Sequence, residues 1–141
     1  MKADPMKSGL LLRLEVEALL VEWGWRVDEG RAASAADLFC EDAEQTLLGV
    51  KTTGLEAIRA GFQRRQDIVA RSSQHSISNV RIVNATDELV EAQWVVTMYR
   101  SDSAQRTALP FLIGSGRDLY RRGADGELKV WRREVNATFG G

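Results

Sequence analysis

HSISNVRIVN (75–84), ELVEAQWVVTMYRS (88–101), RTALPFLIGSGRDLYRR (106–122) and ELKVWRREVNAT (127–138) follow one another through the second half of the chain. Each is rich in β-branched and aromatic residues, the composition of strands that pack one face on a core. Turn signals separate them at Asn84-Ala85-Thr86-Asp87, Ser101-Asp102-Ser103 and Gly123-Ala124-Asp125-Gly126. Pro110 and the Gly114/Gly116 pair mark a bulge or bend, because proline cannot donate to a ladder and glycine lets a strand curl.

Upstream of Arg71 the period is helical. Leu12, Val16, Leu19, Leu20, Trp23 and Val27 recur at three- and four-residue steps and form one apolar stripe, with Gly30 as the stop. A short second helix carries Ala35, Ala36, Leu38 and Phe39. Thr53 and Glu56 have capping-box spacing, which predicts a third helix with Leu55, Ile58 and Phe62 inward and Arg59, Arg64 and Arg65 mostly outward. Helices first and long strands afterwards predict an α+β fold, with helices on one face of a mostly antiparallel sheet. Residues 1–9 read as a flexible tail and 10–141 as one domain, without repeats or linkers.

The chain has 141 residues, enough to bury roughly 70% of its unfolded surface without a staple. Its 19 basic and 20 acidic residues are interspersed and give a net charge of −1. No long-range field results, so neither nucleic acid nor a membrane surface is an expected partner. The apolar start is broken by Arg13, Glu15, Glu17 and Glu22, unlike a signal sequence or membrane span. Cys40 is the only cysteine and His75 the only histidine. One thiol cannot make an internal disulfide, so a reducing cytoplasm is the expected location. One His and one Cys exclude zinc-finger spacings, and neither a metal nor a cofactor is expected. Cys40 reads as a buried, inert thiol.

Four pieces stand in a telling order: Val27-Asp28-Glu29-Gly30, Leu38-Phe39-Cys40-Glu41-Asp42-Ala43, Gly54-Leu55-Glu56-Ala57-Ile58 and Ser73-Gln74-His75-Ser76-Ile77-Ser78-Asn79-Val80. With them the chain, from about Leu10 to its C-terminus, resembles the SnoaL-like members of the nuclear transport factor 2-like superfamily. These have a cone of strongly curved sheet closed by helices. Met98-Tyr99-Arg100-Ser101, Gly116-Arg117-Asp118-Leu119-Tyr120-Arg121-Arg122 and Trp131-Arg132-Arg133-Glu134 are also similar to the beta subunit of aromatic-ring-hydroxylating dioxygenases. The resemblance implies one of two functions. The first is a cofactor-independent lyase or isomerase of the dehydratase kind, acting on a small apolar or aromatic molecule. The second is a non-catalytic accessory or ligand-binding protein. It also implies a homodimer or homotrimer.

The dehydratase branch of that superfamily pairs an Asp at the end of its first helix with a His opening the next long strand. Asp28 and His75 match those positions. An imidazole near neutral pKa can take a proton while a carboxylate fixes its tautomer and stabilises the imidazolium. Asp28 also sits at the negative end of a helix, which calls for a partner elsewhere. The bland alternative makes Asp28 part of an exposed turn and His75 a structural residue.

Asp118 shares a strand face with Gly116 and Tyr120. By resemblance to ketosteroid isomerases, Asp118, or Tyr120 beside it, would contact a substrate oxygen. An ion pair of Asp118 with Arg100 or Arg133 is the favoured alternative. That isomerase's general-base position reads Leu47 and its helix-one tyrosine reads Trp23, so its mechanism does not carry over. Trp23, Phe62 and Met98 are the expected apolar contacts to a flat ligand.

Overall fold

The computed structural model describes residues 4–104 and 106–141. Helix α1 (Pro5–Asp28) leads into a 3-10 helix (Ala32–Leu38), strands β1 (Phe39–Leu47) and β2 (Val50–Thr53), and helix α2 (Leu55–Asp67). Four long strands follow: β3 (Ser72–Ala85), β4 (Leu89–Ser101), β5 (Leu112–Arg122) and β6 (Leu128–Gly140). They form one six-stranded sheet in the order β2-β1-β6-β5-β4-β3. Every neighbouring pair is antiparallel except β1 and β6, which run parallel. The α+β reading with a curved, mixed, mostly antiparallel sheet is the fold observed.

The predicted stripe of α1 is the face that meets the sheet: Val16, Leu20, Trp23 and Val27 are buried, with Leu12 and Leu19 at its margin. Gly30 ends the helix with φ 81°, a conformation that costs glycine nothing. The tail expected over residues 1–9 is helical from Pro5 onward, with Asp4 accepting from the Met6 amide, and Met1–Ala3 lie outside the described residues. The short second helix is 3-10 and stops at Leu38, so Phe39 opens β1 instead.

The capping box at Thr53 does not form. Thr53 is held extended in β2 opposite Glu44, and α2 starts behind Gly54, which has φ 89° and whose amide donates to the Ala43 carbonyl. The third predicted strand starts at Leu112, six residues late, and Pro110 lies just before it. Gly114 does sit at a bulge, since the β5–β6 register shifts between Ile113 and Gly114.

Two further bulges reset which side chains face the core. In β6 the register shifts between Leu119 and Tyr120 of its partner, so inward residues pass from Leu128 and Val130 to Arg133 and Val135. In β3 the shift falls between Ser78 and Arg81, with Asn79 at φ 55°, and inward residues pass from Ser73, His75 and Ile77 to Val80 and Ile82.

Arg133 is thereby driven into the core, and Asp118 is its cross-strand partner. The two carboxylate oxygens of Asp118 accept from Arg133 Nε (2.9 Å) and Nη2 (2.8 Å). They also accept from Trp94 Nε1 at 2.9 Å and the Tyr120 hydroxyl at 2.5 Å. Among the described residues Arg133 Nη1 has no hydrogen-bond partner, but Cζ lies 5.0–5.3 Å from the ring centroids of Trp23, Trp94 and Phe39. Burial disfavours the guanidinium charge, and the carboxylate more than offsets it, raising the pKa above the usual arginine value. The arginines of β5 and β6 are thus divided between surface and core. Arg121, Arg122 and Arg132 pair outside with Asp42, Glu15 and Glu44, while Arg133 is core.

Candidate functional site

A cavity of about 320 Å³ opens between α1, α2 and the inner face of the sheet. Trp23, Val27, Phe62 and Met98 supply apolar wall, and His75 is the one imidazole. The volume is at the small end for a ligand site, room for one or two fused rings. Of the predicted contacts, Trp23, Phe62 and Met98 line the cavity, as does Leu47. Asp118 and Tyr120 do not. Both are fully buried behind the wall in the Arg133 network, so the ion pair is the role the structure gives Asp118. Burial, followed by the negative charge of Asp118, pushes the Tyr120 phenol well above its usual pKa and keeps it a donor.

Asp28 and His75, 47 positions apart in sequence, meet where α1 ends against β3. Asp28 Oδ1 lies 2.6 Å from His75 Nδ1, and Oδ2 accepts from the His75 backbone N–H at 2.7 Å. Ser73 Oγ donates to Oδ1 at 2.8 Å and itself accepts from Arg65 Nη2 at 2.8 Å. The side chains are 10% exposed for His75 and 12% for Asp28, which excludes the exposed-turn alternative for Asp28. Helix and strand pack closely here: a Cβ at Gly24 would stand 3.4 Å from His75 Cβ, in ordinary van der Waals contact. The Trp23 ring holds the other side of the imidazole edge-on, with centroids 5.0 Å apart.

Burial raises the Asp28 pKa, but the hydrogen bonds and charge of His75, with help from Ser73, outweigh it and hold the carboxyl below its usual range. Three donors offset the unfavourable helix end. An ionised Asp28 has only lone pairs to offer, so Nδ1 must carry a proton, and whenever the ring is neutral the free lone pair is the one on Nε2. The expected NMR result is therefore an Nδ1–H tautomer for the lone histidine. A two-bond proton–nitrogen correlation spectrum reads it directly, and an Nε2–H pattern would contradict the assignment.

Ser73, Arg65, Arg71, Arg100 and Gln45 also line the cavity and were not among the predicted site residues. Alternation along β3 puts Ser73 on the His75 face, a signal present in the sequence. The arginines carried no such signal, because α2 and the end of β4 converge only in three dimensions. No tyrosine is among the described lining residues. Cys40 is buried, and burial raises its pKa, as suits an inert thiol. Among the described residues, no group of three or more His, Cys, Asp or Glu side chains is placed to hold a metal ion, and no helix is long and apolar enough to cross a membrane.

Solved structures share this architecture. A candidate scytalone dehydratase from Novosphingobium aromaticivorans superposes with a TM-score of 0.82 at 21% identity, over 95% of this chain and 89% of the other. A Catenulispora acidiphila protein in complex with S-DNPA gives 0.79 at 23% identity, over 91% and 94%. ActVI-ORFA from Streptomyces coelicolor gives 0.78 at 21%, over 90% and 97%. At these identities the likeness establishes the fold alone. No curated protein matches in sequence. Residues 8–134 match the SnoaL-like domain, nearly the whole chain, and the chain belongs to that family.

Proposed function

We propose that this chain is a cofactor-independent lyase or isomerase, dehydratase-like, in which His75 is the general base and Asp28 its orienting carboxylate. The observation that carries this reading is the 2.6 Å contact between His75 Nδ1 and Asp28, made by an imidazole that is also part of an apolar cavity wall. Nε2 takes a proton from carbon next to a carbonyl, and the C–H electron pair becomes the new double bond. A hydroxyl on the adjacent carbon departs, taking the proton back from the imidazolium to leave as water. With no phenol among the described lining residues, the same ring serves as base and then as acid. The candidate dehydratase among the structural neighbours is consistent with this chemistry.

The test is water loss from bicyclic aromatic β-hydroxyketones, followed by absorbance of the conjugated product. His75→Gln is expected to lower the rate by about 10²–10⁴-fold with the melting temperature little changed. An unchanged rate in H75Q would sink the base assignment, and absence of turnover in the wild type would leave a binding protein of the beta-subunit type.

A further inference from the structure

The cavity wall carries a charge imbalance that the dyad does not use. Four guanidiniums face it: Arg64 and Arg65 from α2, Arg71 before β3, and Arg100 from β4. No aspartate or glutamate is among the described lining residues. The nearby carboxylates are committed elsewhere. Asp28 holds His75 and Ser73, and Asp102 is shared by Arg71 at 2.6 Å and Arg100 at 2.9 Å. Among the described residues, Arg64 and Arg65 make no ion pair with a carboxylate.

Arg65 is half-buried, donates to the Ser73 hydroxyl, and has its pKa lowered by burial first and then by repulsion from Arg71 and Arg100. The whole chain has a net charge of −1, so this excess of positive charge is local to the cavity. Crowded, partly desolvated guanidiniums are unfavourable alone and become favourable when a carboxylate joins them through charge-assisted bonds. The apolar lining residues Trp23, Phe62 and Met98 suit a hydrocarbon ring.

We propose that the ligand of this cavity is a flat apolar molecule bearing a carboxylate. Its ring lies on Trp23, Phe62 and Met98, and its anion is held by Arg65 and Arg100. Calling that ligand a substrate rests on the lyase or isomerase reading; its binding does not.

Isothermal titration with 2-naphthoate and with 2-naphthamide, matched in shape and different in charge, tests it. Wild type is expected to bind the naphthoate at least about tenfold more tightly, one charge-assisted contact's worth. Added salt should erode that preference, and the Arg65→Gln/Arg100→Gln double variant should abolish it while keeping its affinity for the amide. Equal affinities, no binding of either compound, or a preference that survives both salt and the double substitution would overturn the inference. In His75→Gln the rate of water loss should fall while the preference for naphthoate over naphthamide stays; an unchanged rate with that preference intact fails the lyase reading alone, and a lost rate in a protein that shows no preference fails the carboxylate reading alone.

Discussion

Replacing Arg133 by Met is expected to destabilise the protein by about 3–5 kcal/mol, measured as a lower denaturation midpoint at unchanged slope. Folded domains of this size hold roughly 5–15 kcal/mol in total, so the variant should lie near the edge of folding. The cause is the unpaired charge that stays behind in the core. Asp118 is fully buried, and without the guanidinium its carboxylate keeps only the Trp94 and Tyr120 donors. Removing both charges, as Asp118→Leu with Arg133→Met, should recover part of the loss, because two apolar groups need no mutual compensation. Recovery stops short of wild type, since Trp94 Nε1 and the Tyr120 hydroxyl then lack their acceptor, at about 1–3 kcal/mol each. A single-variant loss below about 1 kcal/mol would show that the pair does not organise the core.

Gly116→Ala should cost about 3 kcal/mol, far beyond what one methyl group ordinarily does. Gly116 lies directly across from Trp94 in the β4–β5 register. A Cβ at position 116 would stand 2.1, 2.4 and 2.6 Å from three atoms of the indole. The ring has little freedom to retreat. Nε1 is bonded to Asp118, Trp23 packs on it edge-on at 5.9 Å, and the Arg133 guanidinium stacks at 5.1 Å. Trp94→Phe supplies a smaller ring, so the glycine substitution should cost distinctly less in that background. A double-mutant cycle measures the coupling, and strict additivity would show that the clash is relieved elsewhere.

The long strands and the stripe of α1 were legible because hydrophobic period is a local property of sequence. Strands β1 and β2 were not. The inward positions of β1 after its bulge are Ala43 and Gln45, and acidic Glu41, Asp42 and Glu44 lie among them, so no apolar alternation shows. The partner of β1, strand β6, comes from a distant segment, which local pattern cannot supply. That Asp28 and His75 meet was expected only through the family resemblance, which matches one to the end of the first helix and the other to the start of a long strand. The partner of Asp118 was harder. Counting by twos from Leu128 and Val130 points Arg132 inward, and the bulge that substitutes Arg133 has no local signature beyond a tryptophan. The cavity role of Asp118 and Tyr120 came from resemblance, and alternation could not correct it, because it tells which face a side chain takes but not how deep it lies.

The parallel seam between β1 and β6 has a consequence during synthesis. On the ribosome, β1 is finished at Leu47, and its partner begins only at Leu128. At about 5–20 residues per second, the nascent hairpin of β1 and β2 waits roughly 4–16 seconds with one edge uncovered. The antiparallel meander from β3 to β5 can form as it emerges, but the cone closes last, when the final strand slides between the waiting hairpin and β5. A stalled or truncated nascent chain lacking that strand would expose two open edges, the configuration that cellular holdases are suited to shield.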